Sequence, residues 1–317
     1  MSKRIVQNEF GGPETLHLED VRTPKAADLA DDEVLLRVSY ASVNTIDVMT
    51  RAGGGMAAAG IISTPYTPGW DVSGTVEAIG TAVDDLARGD RVLGLVGFPH
   101  HGGTYAEHVV AKAEHLVRTP AALSDAAAAA LPMAAMTAWQ AFTDTTTLTT
   151  DDRVLITGAG GGVGHLAVQI ARHLGATVIA VADAGKHDWL RDLGADLTVD
   201  YHDQDAMAAL AERPVDVAFN LAAPSLARAL GAVRRDGILI ALGGGAADAA
   251  SSAETAGVRF AATHVHIDRG WLEAVTALAG DGVILPVVSE SFAVRDAAQA
   301  HRAISGGHTR GKIVLRP

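Results

Sequence analysis

Hydrophobic residues in the middle of the chain follow the order strand, turn, helix, strand. Residues 154–157 form a short β-branched run, and five glycines lie between residues 158 and 164. Apolar residues then recur at helical spacing from Val163 to Leu174, and a second apolar run covers residues 176–181. This pattern predicts a βαβ unit, with Gly175 ending the helix.

The same alternation continues toward residue 265. Four further apolar runs predict strands at residues 197–201, 215–221, 238–245 and 258–265. Helical patterns separate the earlier ones, at residues 187–195, 206–213 and 225–233. Strands that alternate with helices form a parallel sheet covered on both faces, so we predict a six-stranded, doubly wound α/β fold.

The flanking regions carry a β-type pattern. Short runs between Gly, Pro and Asp clusters predict strands at residues 4–6, 16–21, 33–41, 71–79, 91–96 and 106–111. A short helix and a long loop fall between residues 42 and 70, and the composition shifts to alanine at residue 124. Beyond residue 266 we predict two helices, an extended segment and a last strand at residues 311–317, which pack back onto the first region.

Composition narrows the possible partners. The 317 residues carry a net charge of -12, and a broad basic face for nucleic acid or anionic lipid is missing. The longest apolar stretch, residues 126–138, is too short to span a bilayer and contains Pro132. We expect a cytoplasmic protein with no membrane or nucleic-acid partner. The chain has no cysteine, which excludes disulfides and a thiol nucleophile.

The glycine turn has the composition of a diphosphate cradle. A diphosphate needs backbone N–H groups at close range and the positive end of a helix dipole. A strict GxGxxG motif ending at Gly164 fails by one residue, because Ala159 takes its first place. The position between a strand and a helix nevertheless favours a dinucleotide site over a merely flexible loop. The candidate cofactor-binding residues are Gly158, Gly160, Gly161, Gly162, Val163 and Gly164.

Several motifs together resemble one family. They are SVNTIDVMTRAG, PYTPGWDVSGTVEAIG, GDRVLGL, GGTYAEHVVA, LPMAAMTAWQAF, VLITGAGGGVGHLAVQIARHLGA, LGADLTVDY and GKIVLRP, in that order. The chain resembles the zinc-free quinone oxidoreductases, the zeta-crystallin-like branch of the medium-chain dehydrogenase/reductase superfamily. The resemblance implies a GroES-like β-barrel domain from residues 1–122 and 267–317 and a Rossmann domain from residues 123–266. It also implies a cofactor in the cleft between them and a homodimer formed through the last Rossmann strand.

The metal ligands of zinc-dependent relatives are missing. Those relatives place Gly-His-Glu where this chain has Gly69-Trp70-Asp71, and they use a cysteine ligand. The adjacent His100 and His101 have no spaced carboxylate or cysteine partner in the sequence. We therefore expect no metal, and hydride transfer from a reduced nicotinamide that is governed by positioning.

Candidate site residues in the first region follow from the resemblance. It places Asn44 beside the nicotinamide and gives Thr137 a cofactor contact from the other domain. The alternatives are a turn or cap residue for Asn44 and a helix hydroxyl satisfied by its own backbone for Thr137. Where several relatives have a tyrosine, this chain has Met49, which cannot donate a proton. Tyr66, in the loop that follows, is the catalytic candidate, with water as the other proton source.

The choice between NADPH and NADH is made at the tip of the second Rossmann strand. Ala182 stands where NAD-specific relatives have Asp, and Lys186 and, by resemblance, Tyr201 would contact a 2′-phosphate. Asp183 lies about twenty residues past the motif, as an acid that binds the NAD ribose would. We predict NADPH, with NADH as the alternative. Asn220, Leu242, Gly243 and Gly244 fall at the carboxyl ends of later strands, where ligands bind in α/β sheets.

The sequence thus predicts a zinc-independent, NADPH-dependent oxidoreductase that reduces a quinone or an α,β-unsaturated carbonyl. The alternative within enzymes is an enoyl or enone reductase of a biosynthetic pathway. The alternative from another class is a cofactor-binding sensor or structural protein without turnover.

Overall fold

A computed structural model describes residues 1–242 and 246–317 of the chain. The chain divides into two compact units. The first comprises residues 1–133, 266–282 and 286–317, and the second residues 134–265 and 283–285. The domain boundaries predicted from the sequence, at residues 122 and 266, stay predictions.

The described residues form fifteen strands. They are β1 Ser2–Gln7, β2 Leu16–Val21, β3 Glu33–Val43, β4 Asp71–Ile79, β5 Arg91–Leu95, β6 His108–Lys112, β7 Leu116–Arg118, β8 Arg153–Thr157, β9 Thr177–Ala182, β10 Leu197–Asp200, β11 Val215–Asn220, β12 Val233–Leu242, β13 Arg259–Thr263, β14 Val288–Ala293 and β15 Lys312–Arg316. Eleven α-helices accompany them within the same described ranges. They are α1 Thr45–Arg51, α2 Gly55–Ala58, α3 Asp125–Ala129, α4 Pro132–Gln140, α5 Gly164–His173, α6 His187–Asp192, α7 Gln204–Ala209, α8 Leu226–Gly231, α9 Ala246–Ala256, α10 Arg269–Gly280 and α11 Ala297–Ser305.

The second unit is a six-stranded parallel sheet in the order β10-β9-β8-β11-β12-β13. In order of appearance these strands run 3-2-1-4-5-6, the order of a Rossmann fold. The central strand β8 is flanked by β9 and β11, and its residues 154–157 are fully buried. Long β-branched side chains covered on both faces explain why these strands read as continuous apolar runs. The predicted doubly wound fold is confirmed.

The first unit is built on antiparallel pairing around the long strand β3. β3 pairs with β4, β6 and β15, and β4 pairs with β5. The C-terminal strand β15 therefore adds to a sheet that begins near the N-terminus, as the sequence pattern predicted. β1 and β2 form a separate two-stranded sheet. The GroES-like part of the fold prediction is confirmed on these pairings.

The pattern did not predict several short or weakly amphipathic elements, among them β7 and α9, and it displaced the start of β14. Strand β7 has three residues, too few for alternation to register. Helix α9 is made largely of Ala, Ser and Thr, which lack a strong apolar stripe. The segment predicted as extended at residues 283–291 becomes a strand only at Val288. In residues 1–242 and 246–317, no helix is long and apolar enough to cross a membrane.

Candidate active site

The glycine turn lies between β8 and α5 in the second unit. Gly158 has a φ of 65°, a conformation that glycine adopts without strain. A Cβ on Gly164, the first residue of α5, would lie 2.3 Å from the Gly158 carbonyl oxygen and 2.6 Å from the Ala159 Cα. Only a glycine lets the turn close onto the start of the helix at this distance. Backbone and helix N-terminus thus form a cradle that fits a diphosphate.

Lys186 lies across this turn. A Cβ on Gly160 would meet Lys186 Cδ at 2.4 Å and its Nζ at 3.3 Å, so the lysine side chain occupies the space beside the glycine. Lys186 ends a short 3-10 turn, residues 184–186, that follows β9. The structure therefore brings this predicted cation to the predicted phosphate loop.

Asp183 begins that same 3-10 turn. Its Oδ1 accepts a hydrogen bond of 2.9 Å from the Gly185 N–H. Its Oδ2 lies 4.0 Å from Nε2 of His202, a residue that the sequence analysis did not single out. The ring of His202 lies 4.2 Å from that of Tyr201, which is 41% exposed after β10. Asp183 thus has both a local structural role and a basic neighbour.

The later strands end in residues of different kinds. Asn220 is buried at the end of β11, and its Oδ1 accepts a 2.8 Å bond from Thr157 Oγ1. This bond ties the ends of β8 and β11 together. Leu242, the last residue of β12, is exposed. Gly243 and Gly244 lie outside the described residues. Thr137, which precedes these strands in the chain, is a buried residue of α4.

In the first unit, Asn44 belongs to a buried polar cluster. It stands directly before α1, where Asp47 Oδ2 accepts its backbone N–H at 2.7 Å. The Asn44 side-chain Nδ2 donates to Asp71 Oδ2 at 2.9 Å, and its Oδ1 accepts from Lys312 Nζ. Asp71 Oδ1 accepts the Met133 backbone N–H at 2.8 Å. We call Asn44, Asp47, Asp71 and Lys312 the Asn44 cluster.

Strand pairing builds this cluster. Ile313 of β15 pairs with Val43 of β3, which sets Lys312 beside Asn44. Ser42 pairs with Asp71 at the start of β4. The ends of three neighbouring strands therefore meet at one point. The sequence analysis missed Lys312; its only signal was a lysine at the head of the apolar run IVL, where a strand pattern would otherwise predict burial.

Burial dominates the electrostatics of the cluster. It raises the pKa of the Asp47 carboxyl to about 7, with the Asp71 charge adding to the effect. Burial also raises the pKa of Asp71 and lowers the pKa of Lys312. The Lys312 charge acts to lower the Asp71 pKa, and the Asp71 charge acts to raise the Lys312 pKa, so each partly offsets the effect of burial. Lys312 Nζ lies 3.6 Å from Asp71 Oδ2, and both side chains are almost completely buried. A buried pair of this kind persists only with good additional hydrogen bonds, which Asn44 and Met133 supply.

Tyr66 lies in the loop before β4. Its side chain is 6% exposed, and its hydroxyl has no hydrogen-bond partner among the described residues. Burial, and then the Asp47 charge, raise its pKa above the ordinary value. A raised pKa makes the phenol a weaker acid. Met49, in contrast, is exposed on α1.

Trp70 fills the position that a zinc ligand takes in metal-dependent relatives. It is buried, its Nε1 donates to the His100 carbonyl oxygen at 2.6 Å, and its ring packs edge-on against Phe98. An indole offers no lone pair to a metal. Across residues 1–242 and 246–317, no three His, Asp or Glu side chains converge as a metal site.

Comparisons with known proteins agree with this geometry. Residues 30–121 match the family described as alcohol dehydrogenase GroES-like domain, and residues 193–315 match the family described as zinc-binding dehydrogenase. A 2-haloacrylate reductase from Burkholderia sp is 32% identical over 100% of this chain and 99% of its own length. An NADPH-dependent alkenal/one oxidoreductase from Arabidopsis thaliana is 30% identical, over 99% of this chain and 79% of its own.

A solved structure extends the likeness to the whole fold. The quinone oxidoreductase from Coxiella burnetii superposes with a TM-score of 0.92 at 32% identity, covering 100% of this chain and 99% of its own. Fold and glycine turn together define an oxidoreductase that uses a nicotinamide cofactor. The chain belongs to the zinc-free quinone oxidoreductase branch of the medium-chain dehydrogenase/reductase superfamily.

Proposed function

We propose that this protein is an NADPH-preferring, zinc-independent reductase of a quinone or an α,β-unsaturated carbonyl. The observation that carries the cofactor preference is Lys186, which lies over Gly160 of the phosphate turn while Ala182 supplies no carboxylate. The resemblance to a relative named as NADPH-dependent supports the same choice. Asp183 Oδ1 accepts the Gly185 N–H, so one of its two carboxylate oxygens is already engaged.

The residues that would hold the cofactor come from the predicted set. The glycine turn would bind the diphosphate through its N–H groups, and Lys186 and Tyr201 would contact the 2′-phosphate. The remaining contacts we propose are Asn44, Thr137, Asp183, Asn220, Leu242, Gly243 and Gly244. Asn220 and Leu242 end parallel strands, where ligands bind in α/β sheets. Gly243 and Gly244 are proposed from the sequence alone, and Asn44 and Thr137 from the family resemblance.

The cofactor and the protein would each supply a different part of the reaction. A bound reduced nicotinamide supplies the hydride. The chain orients the electron-poor acceptor and excludes water, and Asn44 offers a hydrogen bond from the buried cluster. The candidate proton donor Tyr66 stays a prediction. Because its pKa is raised and its hydroxyl is buried, we propose the other source, water, for the proton.

The substrate class follows from the mechanism and the relatives. Without a Lewis acid, a delocalised acceptor is the easier one to reduce, because charge spreads over the conjugated system. The relatives are named for a quinone, a haloacrylate and an alkenal or enone. Two of these three names denote activated double bonds, so we propose an enone or acrylate-type substrate as the second candidate beside quinones.

A small panel tests the proposal. Purified protein is mixed with NADPH or NADH and with benzoquinone, a naphthoquinone, an aliphatic enone, 2-chloroacrylate or a simple ketone, and nicotinamide oxidation is followed by absorbance. We expect NADPH oxidation with conjugated acceptors and none with the ketone. Faster turnover with NADH would refute the cofactor preference, and equal turnover of the ketone would refute the mechanism.

We also propose a homodimer formed through β13. This strand is at one edge of the parallel sheet, and an uncovered edge offers N–H and C=O groups for pairing with a second copy. A Phe260→Pro variant should run as a monomer in size-exclusion chromatography if that edge pairs. The cytoplasmic location expected from the sequence remains a prediction.

A further inference from the structure

The Asn44 amide has partners of opposite kind at its two ends. Lys312 is a pure hydrogen-bond donor, and an ionised Asp71 carboxylate is a pure acceptor. Lys312 Nζ donates to Asn44 Oδ1, while Asn44 Nδ2 donates to Asp71 Oδ2 at 2.9 Å. A flip of the amide would set Oδ1 against a carboxylate and Nδ2 against an ammonium. Both contacts would then be repulsive, so one orientation is fixed.

The fixed orientation decides what the amide can offer to a ligand. Nδ2 has two N–H groups, and Asp71 takes one of them. Among residues 1–242 and 246–317, Asp71 is the acceptor that meets hydrogen-bond geometry with Nδ2. The Asn44 side chain also lowers the pKa of the Asp47 carboxyl, so that carboxyl is the competitor of a ligand for the second N–H. The carbonyl oxygen is turned toward Lys312, so the group that remains is a donor.

We propose that Lys312 and Asp71 are positioning residues that lock Asn44 as a hydrogen-bond donor to a ligand oxygen. The ligand oxygen is that of a hydroxyl on the cofactor ribose or a carbonyl on the substrate. This inference rests on the proposed function, in which Asn44 faces the reacting groups. Lys312 reaches them only through Asn44 and has no direct part in the reaction.

Position and burial support this role. Lys312 is 3% exposed, and its Nζ also donates to the Val43 carbonyl oxygen at 3.3 Å. Asp71 is fully buried and is held from its other oxygen by the Met133 N–H. Neither side chain can move toward solvent without leaving the other charge buried and unpaired, which is strongly unfavourable. The amide therefore sits between two immobile partners.

The asparagine content of the chain makes a direct test simple. The sequence has three asparagines, Asn8, Asn44 and Asn220. Labelling with ¹⁵N-asparagine therefore gives three side-chain amide signals, and Asn44→Ala identifies the one from Asn44. We expect the two Nδ2 protons of Asn44 to be well separated in shift and slow to exchange with water. Asn8, which is exposed, serves as the internal reference for a mobile amide.

The perturbing variant removes both charges together. Asp71→Asn with Lys312→Met removes both partners of the buried ion pair at once. Asp47 stays in the cluster, so the variant is assayed at about pH 6, below the raised Asp47 pKa of about 7, where that carboxyl is protonated. No partner then dictates the amide orientation. We expect the two Asn44 protons to converge toward those of Asn8. We expect kcat/KM to fall about threefold to tenfold, which is the contribution of an oriented hydrogen bond to an uncharged oxygen. Asp125→Asn with Arg91→Met is the matched control, since it removes a 2.6 Å ion pair of the same unit without touching Asn44.

A double-mutant cycle separates positioning from structure. If Lys312 and Asp71 act through Asn44, the triple variant should be no slower than Asn44→Ala alone, whereas additive losses would refute this route. Unchanged Asn44 signals in the charge-free variant would overturn the inference whatever the turnover. A locked amide in a protein whose Asn44→Ala variant keeps full kcat/KM would refute the proposed role of Asn44 in the reaction, while leaving the orientation intact.

Discussion

The raised pKa of Asp47 makes stability depend on pH in a defined direction. Its carboxyl has an ordinary pKa of 3.8 and a pKa of about 7 in the folded chain, chiefly because it is fully buried. Between these values the folded chain holds a proton that the unfolded chain has lost. The Asp47 contribution is therefore fully present below about pH 4 and is lost as the pH rises to about 7.

The size of this effect follows from the two pKa values. At about 1.4 kcal/mol for each pKa unit, the difference corresponds to roughly 4 kcal/mol, of which about 2 kcal/mol is lost between about pH 5 and about pH 7. Asp47→Asn keeps an oxygen that accepts the Asn44 N–H but cannot ionise. We expect its free energy of unfolding, relative to the wild type, to rise by about 2 kcal/mol over that interval and to level off above it.

Urea denaturation at a series of pH values measures this difference. Asp90→Asn is the control, because Asp90 likewise accepts a backbone N–H three residues before it, from Ala87 at 2.9 Å. That hydrogen bond and Arg118 lower the pKa of Asp90, so its carboxyl is ionised in both the folded and the unfolded chain between about pH 5 and about pH 7. The stability difference between Asp90→Asn and the wild type should therefore stay constant over that interval. Parallel pH profiles for the wild type and Asp47→Asn would refute the assignment of a raised pKa to Asp47.

Three further predictions concern the cofactor and the proton. Gly164→Ala brings a Cβ to 2.3 Å from the Gly158 carbonyl oxygen, so the NADPH Kd from fluorescence titration should rise at least about tenfold, whereas Gly231→Ala, with nothing within 4 Å, should leave it unchanged. Equal Kd values would mean that the turn does not bind the diphosphate. Lys186→Ala should weaken NADPH binding about tenfold or more and leave NADH binding nearly constant; a matching loss for both would remove Lys186 from the 2′-phosphate site. Tyr66→Phe should keep kcat within about twofold, because its buried hydroxyl has no hydrogen-bond partner in the part of the chain that the structure describes, and a loss of kcat with a changed solvent isotope effect would restore Tyr66 as the proton donor.

The observed strand bounds show how much of the secondary structure the local sequence pattern predicts. β2 and β4 coincide with the predicted residues 16–21 and 71–79, since alternation and flanking turn residues define both. The sequence pattern did not predict β7, because that strand is too short, or α9, because that helix is too weakly amphipathic. The glycine turn and Lys186 belong to one βαβ unit and the turn that follows it, so the local pattern already placed them near one another.

The sequence by itself determined the Rossmann unit, the position of its glycine turn and the family. These depend on periodicity and on contacts between residues near one another in the chain, such as Gly158 with Gly164. Only the tertiary structure decided how Asn44 is held, because Asp71 and Lys312 lie 27 and 268 residues away from it. Their meeting depends on the register of β3 with β4 and β15, which hydrogen-bond ladders between distant strands set. Lysines are usually exposed, so the sequence predicts a surface position for Lys312. The strand register instead buries it beside a carboxylate.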